Sequence, residues 1–172
     1  MIKPTKKYRL LRMETAQTMV EFALVFPILL LITYGIIEFG RMVFIYSAVT
    51  GAAREGARYG AAAGYIDSDT RYYMDCKGIR DAVRRGAILT PITNSNIRVW
   101  YDHGPGTAAF PVPNICPPEI DHYGQDLIYR GDRIGVHIDV QYVPIIKFLG
   151  FNGFNISSEN ARTILVYVDI GG

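Results

Sequence analysis

The chain has 172 residues, a formal net charge of +2 and two cysteines. A charge so close to balance gives no support to a nucleic-acid-binding protein. The length leaves room for one membrane helix and one folded domain of roughly 110 residues.

The chain begins with a short basic leader, residues 1–16. Its charged residues are Lys3, Lys6, Lys7, Arg9, Arg12 and Glu14. An apolar run follows, with no charge between Glu21 and Glu38. A helix from Gln17 to Ile37 would be roughly 32 Å long, enough to cross the hydrocarbon core of a bilayer. Because the cations precede this span, the positive-inside rule predicts a cytoplasmic N-terminus and an extracytoplasmic domain.

An ordinary secretory signal is the alternative explanation of the leader. The apolar run is longer than a signal core, so we expect any cut to lie before it.

Two residues of the predicted span are unusual. Pro27 removes one backbone hydrogen bond and presses on the carbonyl of Ala23, so the helix should bend there. Glu21 places a carboxylate at the edge of the apolar core, where an ionised group is costly and usually has a partner. The alternative is that Glu21 lies at headgroup depth and is solvated.

The helical pattern continues past Arg41 to about residue 63, with small residues at a spacing of four. These residues are Ala48, Ala52, Gly56, Gly60 and Gly64. On a helix they form one ridge with little side-chain bulk, which lets another element approach the backbone closely. The alternative is a frayed helix end weakened by glycine. The spacing also predicts surface ion pairs, of Glu38 with Arg41 and of Glu55 with Arg58.

A second, shorter helix is expected at about residues 75–89, with Ser68 or Asp69 as its N-cap. Near its start lies Cys76, and Cys116 follows in a later loop. If the domain is extracytoplasmic, these two thiols lie in an oxidising compartment, which favours a disulfide. The alternative is two free, buried thiols.

The rest of the chain predicts strands. Residues 97–102 and 133–142 alternate apolar with polar side chains, and a last strand is expected at about 161–170. Residues 103–131 are rich in Gly and Pro and form a long excursion. The apolar connection 144–154 either packs over the core or rests on a membrane or a partner.

The predicted organisation is therefore a leader at 1–16, a membrane helix with its extension at 17–63, and a domain at 64–172. The fold class is α+β: a long N-terminal transmembrane helix that extends into a small domain with a second helix and an antiparallel sheet of three or more strands.

No pattern of catalytic residues stands out. His103, His122 and His137 are scattered, without the spacing of a metal-binding helix. There is no G-x-S-x-G motif, and prolines follow the Gly-Pro-Gly at residues 104–106, where a phosphate-binding helix would have to begin. We therefore expect no enzyme, no cofactor and no metal site.

One segment resembles a known family. The leader ends at the small residue Ala16, and the run QTMVEF at residues 17–22 opens the apolar helix that contains Pro27. The similarity extends through residues 37–41 and 52–59. This combination resembles the TadE-like family of tight-adherence pilus proteins, relatives of the type IV pilins. Its most family-specific positions are Arg54, Glu55, Gly56, Arg58 and Tyr59.

The resemblance implies a bacterial pseudopilin of the cytoplasmic membrane, present in or on pili. A prepilin peptidase would cut between Ala16 and Gln17, although such sites more usually carry Gly before the cut. The new ammonium at Gln17 would then pair with Glu21, and Glu21, Phe22 and Pro27 would serve helix pairing during assembly. The implied partners are membrane lipid, other pilin or pseudopilin subunits, the prepilin peptidase and the pilus assembly platform.

The leading hypothesis is thus a non-enzymatic minor pilin or pseudopilin in a tight-adherence-type pilus. The alternative is a membrane-tethered extracytoplasmic binding module or adhesin that stays outside the pilus, with the excursion 103–131 contacting a surface ligand.

Overall fold

The apolar run and the small-residue ridge belong to one helix in the computed structural model. The structure describes residues 7–68, 70–87, 90–109, 116, 128, 129, 131–146 and 152–165, with side chains from residue 16 onward. Its helices are α1 (Lys7–Gly60) and α2 (Cys76–Gly86), with single 3₁₀ turns at Tyr72–Met74 and Asn94–Asn96. Its strands are β1 (Ile97–Asp102), β2 (Arg133–Tyr142) and β3 (Phe154–Thr163). The predicted α+β fold class is confirmed.

The chain divides into two compact units between Arg41 and Met42. In the first unit the apolar side chains of α1 are exposed, as at Phe22 and Leu24. Among the described residues, the segment Ala16–Gly60 is the one helix long and apolar enough to cross a membrane. A helix with apolar side chains on all sides is stable in lipid, so this segment is consistent with a single-pass membrane anchor. The helix continues through Pro27.

The second unit is a three-stranded antiparallel sheet with helices on one face. The strand order is β1-β2-β3, with Val99 opposite Val136 and His137 opposite Glu159. The core lies between this face of the sheet and the helices. Its largest fully buried side chains are Tyr73, Tyr101, Ile79, Ile134, Ile138, Ile164, Val49, Val83, Val99 and Val136.

The two predicted ion pairs are confirmed, with N–O distances of 2.7 Å for Arg41–Glu38 and 2.6 Å for Arg58–Glu55.

The start of α2 differs from the prediction. Its N-cap is Asp75, whose Oδ1 accepts a hydrogen bond from the backbone N–H of Gly78 at 2.9 Å. Ser68 lies in a bend, and the 3₁₀ turn Tyr72–Met74 separates it from α2. It is therefore too far along the chain to cap that helix. Asp69 lies outside the described residues. The helix ends at Gly86, ahead of the predicted end at residue 89.

The third strand also differs from the prediction. It begins at Phe154, within the expected connection, and ends at Thr163. Its ten residues pair with β2 along their whole length, from Tyr142 opposite Phe154 to Arg133 opposite Thr163. Ile156 is its one buried apolar residue, so the alternating pattern that marks a half-buried strand is missing. Residues 166–170 of the predicted strand lie outside the described residues.

The connection 144–154 has described residues at both ends. Pro144 is buried, whereas Ile145 and Ile146 are exposed. At the start of this connection, the buried Pro144 therefore agrees with packing over the core. The exposed side chains of Ile145 and Ile146 agree with the alternative, a surface that rests on a membrane or a partner.

Candidate functional site

The predicted processing and pairing residues lie on one short stretch of α1. Ala16, Gln17, Glu21 and Phe22 are all exposed. The side-chain Nε2 of Gln17 donates to Oε1 of Glu21 at 3.1 Å, as expected for residues one helical turn apart. The rings of Phe22 and Phe26 lie 5.3 Å apart between centroids. This stretch thus carries a carboxylate and exposed aromatic rings.

The small-residue ridge lies where α1 meets the rest of the second unit. A Cβ at Gly56 would lie 2.5 Å from Cγ2 of Val83 on α2 and 3.4 Å from the Val136 side chain on β2. A Cβ at Gly60 would lie 2.5 Å from Cδ1 of Ile134. Real Cβ atoms do not approach other heavy atoms so closely. Glycine fits at these two positions because it has no Cβ, which lets the helix backbone contact its neighbours directly.

The contact is reciprocal at Gly86 of α2, where a Cβ would lie 2.9 Å from Cα of Ala52. Ala52 is fully buried, whereas Ala48 is partly exposed. Gly64 follows the end of α1 in the left-handed backbone region, with φ of +101°, and is therefore outside the helical ridge.

The family-like positions at residues 54–59 divide between the surface and the core. Arg54 is exposed. Glu55 pairs with Arg58, and this hydrogen bond lowers the pKa of the Glu55 carboxyl. The hydroxyl of Tyr59 donates to Oδ2 of Asp75 at 2.7 Å. Burial, followed by this hydrogen bond, raises the pKa of Tyr59 to about 12.

Asp75 therefore joins the two helices. Its Oδ2 accepts from α1 through Tyr59, while its Oδ1 caps the N-terminus of α2. The sequence did not single out Asp75, although an acidic residue immediately before a helix is a recognised N-cap signal.

The two cysteines are joined as a disulfide. The S–S distance between Cys76 and Cys116 is 2.04 Å, and their Cα atoms lie 5.6 Å apart. The bridge ties the excursion after β1 to the first residue of α2. Beside it, the hydroxyl of Tyr101 donates to the carbonyl oxygen of Tyr73 at 2.7 Å. Burial raises the pKa of Tyr101.

Two buried carboxylates, Asp102 and Asp132, lie at the end of the β1–β2 pair. The residue pattern of the strands does not indicate that either is buried. Asp102 accepts two hydrogen bonds from Arg133, of 2.8 and 2.5 Å, and a third from the backbone N–H of Gly104 at 3.0 Å. Burial alone would raise the pKa of Asp102, but the hydrogen bonds from Arg133 and Gly104 outweigh it, and the pKa is lowered. Asp132 contacts His103 across 2.9 Å. In the alternation of β1, Asp102 falls with Arg98 and Trp100 on the face opposite the core.

Among the described residues, no set of three or more His, Cys, Asp or Glu side chains has a geometry that could hold a metal ion. The described contacts pack α1, α2 and the sheet against one another. The stretch of α1 around Glu21 is exposed and carries a carboxylate.

The comparisons with known proteins include a family match. Residues 16–58 match the family model described as TadE-like protein. No curated protein and no solved structure matches the chain. The matched segment contains the exposed stretch around Glu21, the ridge residues Ala52 and Gly56, and the Glu55–Arg58 pair. Over residues 16–58, the chain is therefore similar to the TadE-like family.

Proposed function

We propose that this protein is a non-enzymatic minor pilin or pseudopilin that acts in the assembly of a tight-adherence-type pilus. The family match over residues 16–58 is the observation that carries this proposal. The match includes the exposed apolar segment of α1. The resemblance to pilus proteins supports a role for that segment in packing against other subunits as well as in anchoring.

The proposal includes processing by a prepilin peptidase between Ala16 and Gln17. Two observations support it: the family match begins at residue 16, and both residues of the bond are exposed. Cleavage would remove the basic leader and leave Gln17 with a free ammonium group. That ammonium would lie one helical turn from Glu21, whose carboxylate already contacts the Gln17 side chain.

Pairing of this ammonium with Glu21 would offset the cost of placing either charge at the edge of the bilayer core. The pair can form within one chain or between neighbouring subunits. Between subunits it would also fix the axial position of one helix against the next, because a carboxylate left without its partner in an apolar environment is strongly destabilising.

The proposed location is the bacterial cytoplasmic membrane, with the N-terminus in the cytoplasm and the C-terminal domain outside. The charge distribution around the span supports this topology. The Cys76–Cys116 disulfide supports it independently, because disulfides persist in oxidising, extracytoplasmic compartments.

The first test is the mature N-terminus. We expect mass spectrometry of the protein, expressed together with a prepilin peptidase, to find Gln17 as its first residue. Without the peptidase, the leader should remain attached. An N-terminus within or beyond the apolar run would contradict the proposed processing and the membrane anchor together.

The second test is Glu21→Ala, which should block incorporation into sheared pili while the protein still resists alkaline extraction from membranes. Glu21→Gln keeps the size of the side chain and removes its charge, so it should fail in the same way. Glu14→Ala is the matched control, because that acidic residue lies in the leader that processing removes. Wild-type amounts of pili and of pilus-associated protein in Glu21→Ala would refute the assembly role of this carboxylate.

A further inference from the structure

The outer face of the sheet, opposite the helices, carries a cavity of about 420 Å³. Its volume lies within the range of about 300–1,000 Å³ that small-ligand pockets occupy. The cavity is lined by Trp100, Asp102, Thr107, Ala109, Arg133 and Glu159. These residues come from all three strands and from the segment that follows β1, so the sheet register assembles the site.

Trp100 forms an aromatic wall of this cavity. It lies opposite Gly135 in the β1–β2 pairing, and a Cβ at Gly135 would lie 2.1 Å from Cε2 of the indole. The ring therefore occupies the space that a side chain at position 135 would fill, and it lies against the backbone of β2. Held in this way, the indole is fixed in orientation without being fully buried.

The remaining walls carry both donors and acceptors of hydrogen bonds. Asp102 and Arg133 are held together by two hydrogen bonds, so their positions are fixed before any ligand arrives. Glu159 is about half exposed, with its Oε2 3.0 Å from Nδ1 of His137. Thr107 adds a hydroxyl, whose Oγ1 donates to the carbonyl oxygen of Gly104 at 2.8 Å.

This composition discriminates between classes of ligand. An anion would meet the carboxylates of Asp102 and Glu159. A cation would meet the guanidinium of Arg133, which already pairs with Asp102, so the half-exposed Glu159 is the one carboxylate of the lining left to attract it. A neutral polyol suits the mixture, because each of its hydroxyl groups both donates and accepts hydrogen bonds. An aromatic ring beside such polar groups also suits a ligand that is apolar on one side and polar at its edges.

We propose that this cavity is a binding site for a neutral saccharide, with one sugar ring against Trp100 and its hydroxyl groups bonded to Glu159, Arg133 and Thr107. The site does not depend on pilus assembly, so it stands or falls separately from the function proposed above.

The test uses the fact that Trp100 is the single tryptophan of the chain. Emission excited where tyrosine does not absorb therefore reports on this site alone. The full chain is placed in lipid nanodiscs, because maltoside detergents carry the class of ligand under test. The probes are neutral tetrasaccharides built from glucose, galactose, mannose or N-acetylglucosamine, with tetramethylammonium chloride and inorganic phosphate as cationic and anionic comparators.

We expect a saturable change in Trp100 emission with at least one tetrasaccharide and none with either ion. Glu159→Gln should weaken that binding about tenfold, because hydrogen bonds to charged groups are the stronger ones. Arg98→Gln should leave saccharide binding unchanged, because Arg98 is an exposed residue on the same strand as Trp100 that does not line the cavity. Trp100→Leu still covers Gly135 but removes the aromatic ring, and calorimetry should show that binding is lost.

Three results would overturn the proposal. The first is the absence of a saturable response to every tetrasaccharide. The second is a saturable response to tetramethylammonium or phosphate in place of the sugars. The third is undiminished saccharide binding by Trp100→Leu that is folded by circular dichroism, which would place the sugar elsewhere on the protein.

Discussion

Replacing Gly56 by alanine tests whether the close approach of α1 to the rest of the domain is required. Alanine favours a helix over glycine by about 1 kcal/mol, so on local grounds the substitution should stabilise the protein. The structure opposes this gain, because the new Cβ would lie 2.5 Å from Cγ2 of Val83. Overpacking of a core typically costs about 1–3 kcal/mol. The net change expected for Gly56→Ala is therefore a loss of about 0–2 kcal/mol.

Gly51 supplies a matched control in the same helix. It is exposed, and a Cβ there would meet nothing within 4 Å. Gly51→Ala should therefore keep the full gain of about 1 kcal/mol in helix propensity. The difference between the two variants, about 1–3 kcal/mol, isolates the cost of the contact, because the change in helix propensity is common to both.

Two further glycines rank the contact by what the new methyl group meets. Gly60→Ala should be milder than Gly56→Ala, since it meets Cδ1 of Ile134, the flexible end of a long side chain. Gly86→Ala should be more severe, since it meets the backbone Cα of Ala52 at 2.9 Å, which cannot rotate away.

The assay is urea unfolding of the full chain, followed by the emission of Trp100 in the sheet. At the size of this domain, roughly 3–5 °C in melting temperature corresponds to 1 kcal/mol, so thermal unfolding provides a second measurement. If Gly56→Ala proved as stabilising as Gly51→Ala, the close packing of α1 against Val83 would be refuted.

Two other predictions concern the domain. Because the pKa of Asp102 is lowered in the folded protein, the stability that it contributes is fully present above the ordinary aspartate pKa of about 3.9 and is lost as the pH falls through the lowered value. Asp102→Asn should therefore flatten the fall of the urea midpoint in acid, and an unchanged acid profile would contradict the Arg133 pairing. Cys116→Ser should lower the free energy of unfolding by about 2–4 kcal/mol, because Cys76 and Cys116 are 40 residues apart. The wild-type protein under reducing conditions should match that variant, and a reduced protein as stable as the oxidised one would contradict a structural role for the bridge.

Much of the fold could be predicted because its main elements show a clear pattern of apolar and polar residues within their own sequence. The strand β2 alternates buried Ile134, Val136 and Ile138 with side chains on the opposite face, and the sequence predicted its bounds. The strand β3 could not be placed from its own residues, because Ile156 is its single buried apolar side chain. It forms by pairing along the whole of β2, which is information that lies in another part of the chain.

The polar groups of the sites were harder to predict, for a related reason. The alternation of residues in β1 assigns Asp102 to the face opposite the core. It is buried because the backbone turns at Gly104, whose N–H donates to it, and because Arg133 pairs with it. The juxtaposition of Trp100 with Gly135 depends in the same way on the register between β1 and β2. Local pattern predicts which face a residue takes, whereas register and loop closure decide what covers that face.

The packing of α1 separates two kinds of constraint along this helix. Gly56 and Tyr59 are used by the domain itself, one through direct backbone contact and the other through its hydrogen bond to Asp75. A substitution at either residue should therefore weaken the fold wherever the protein is located, and failed pilus assembly in such a variant would say nothing about subunit contacts. Glu21 is exposed, with a hydrogen bond to Gln17 one turn away, so its substitution leaves the packing of the domain untouched. Variants of the segment before Arg41 are consequently the ones whose assembly defects report on contacts between subunits.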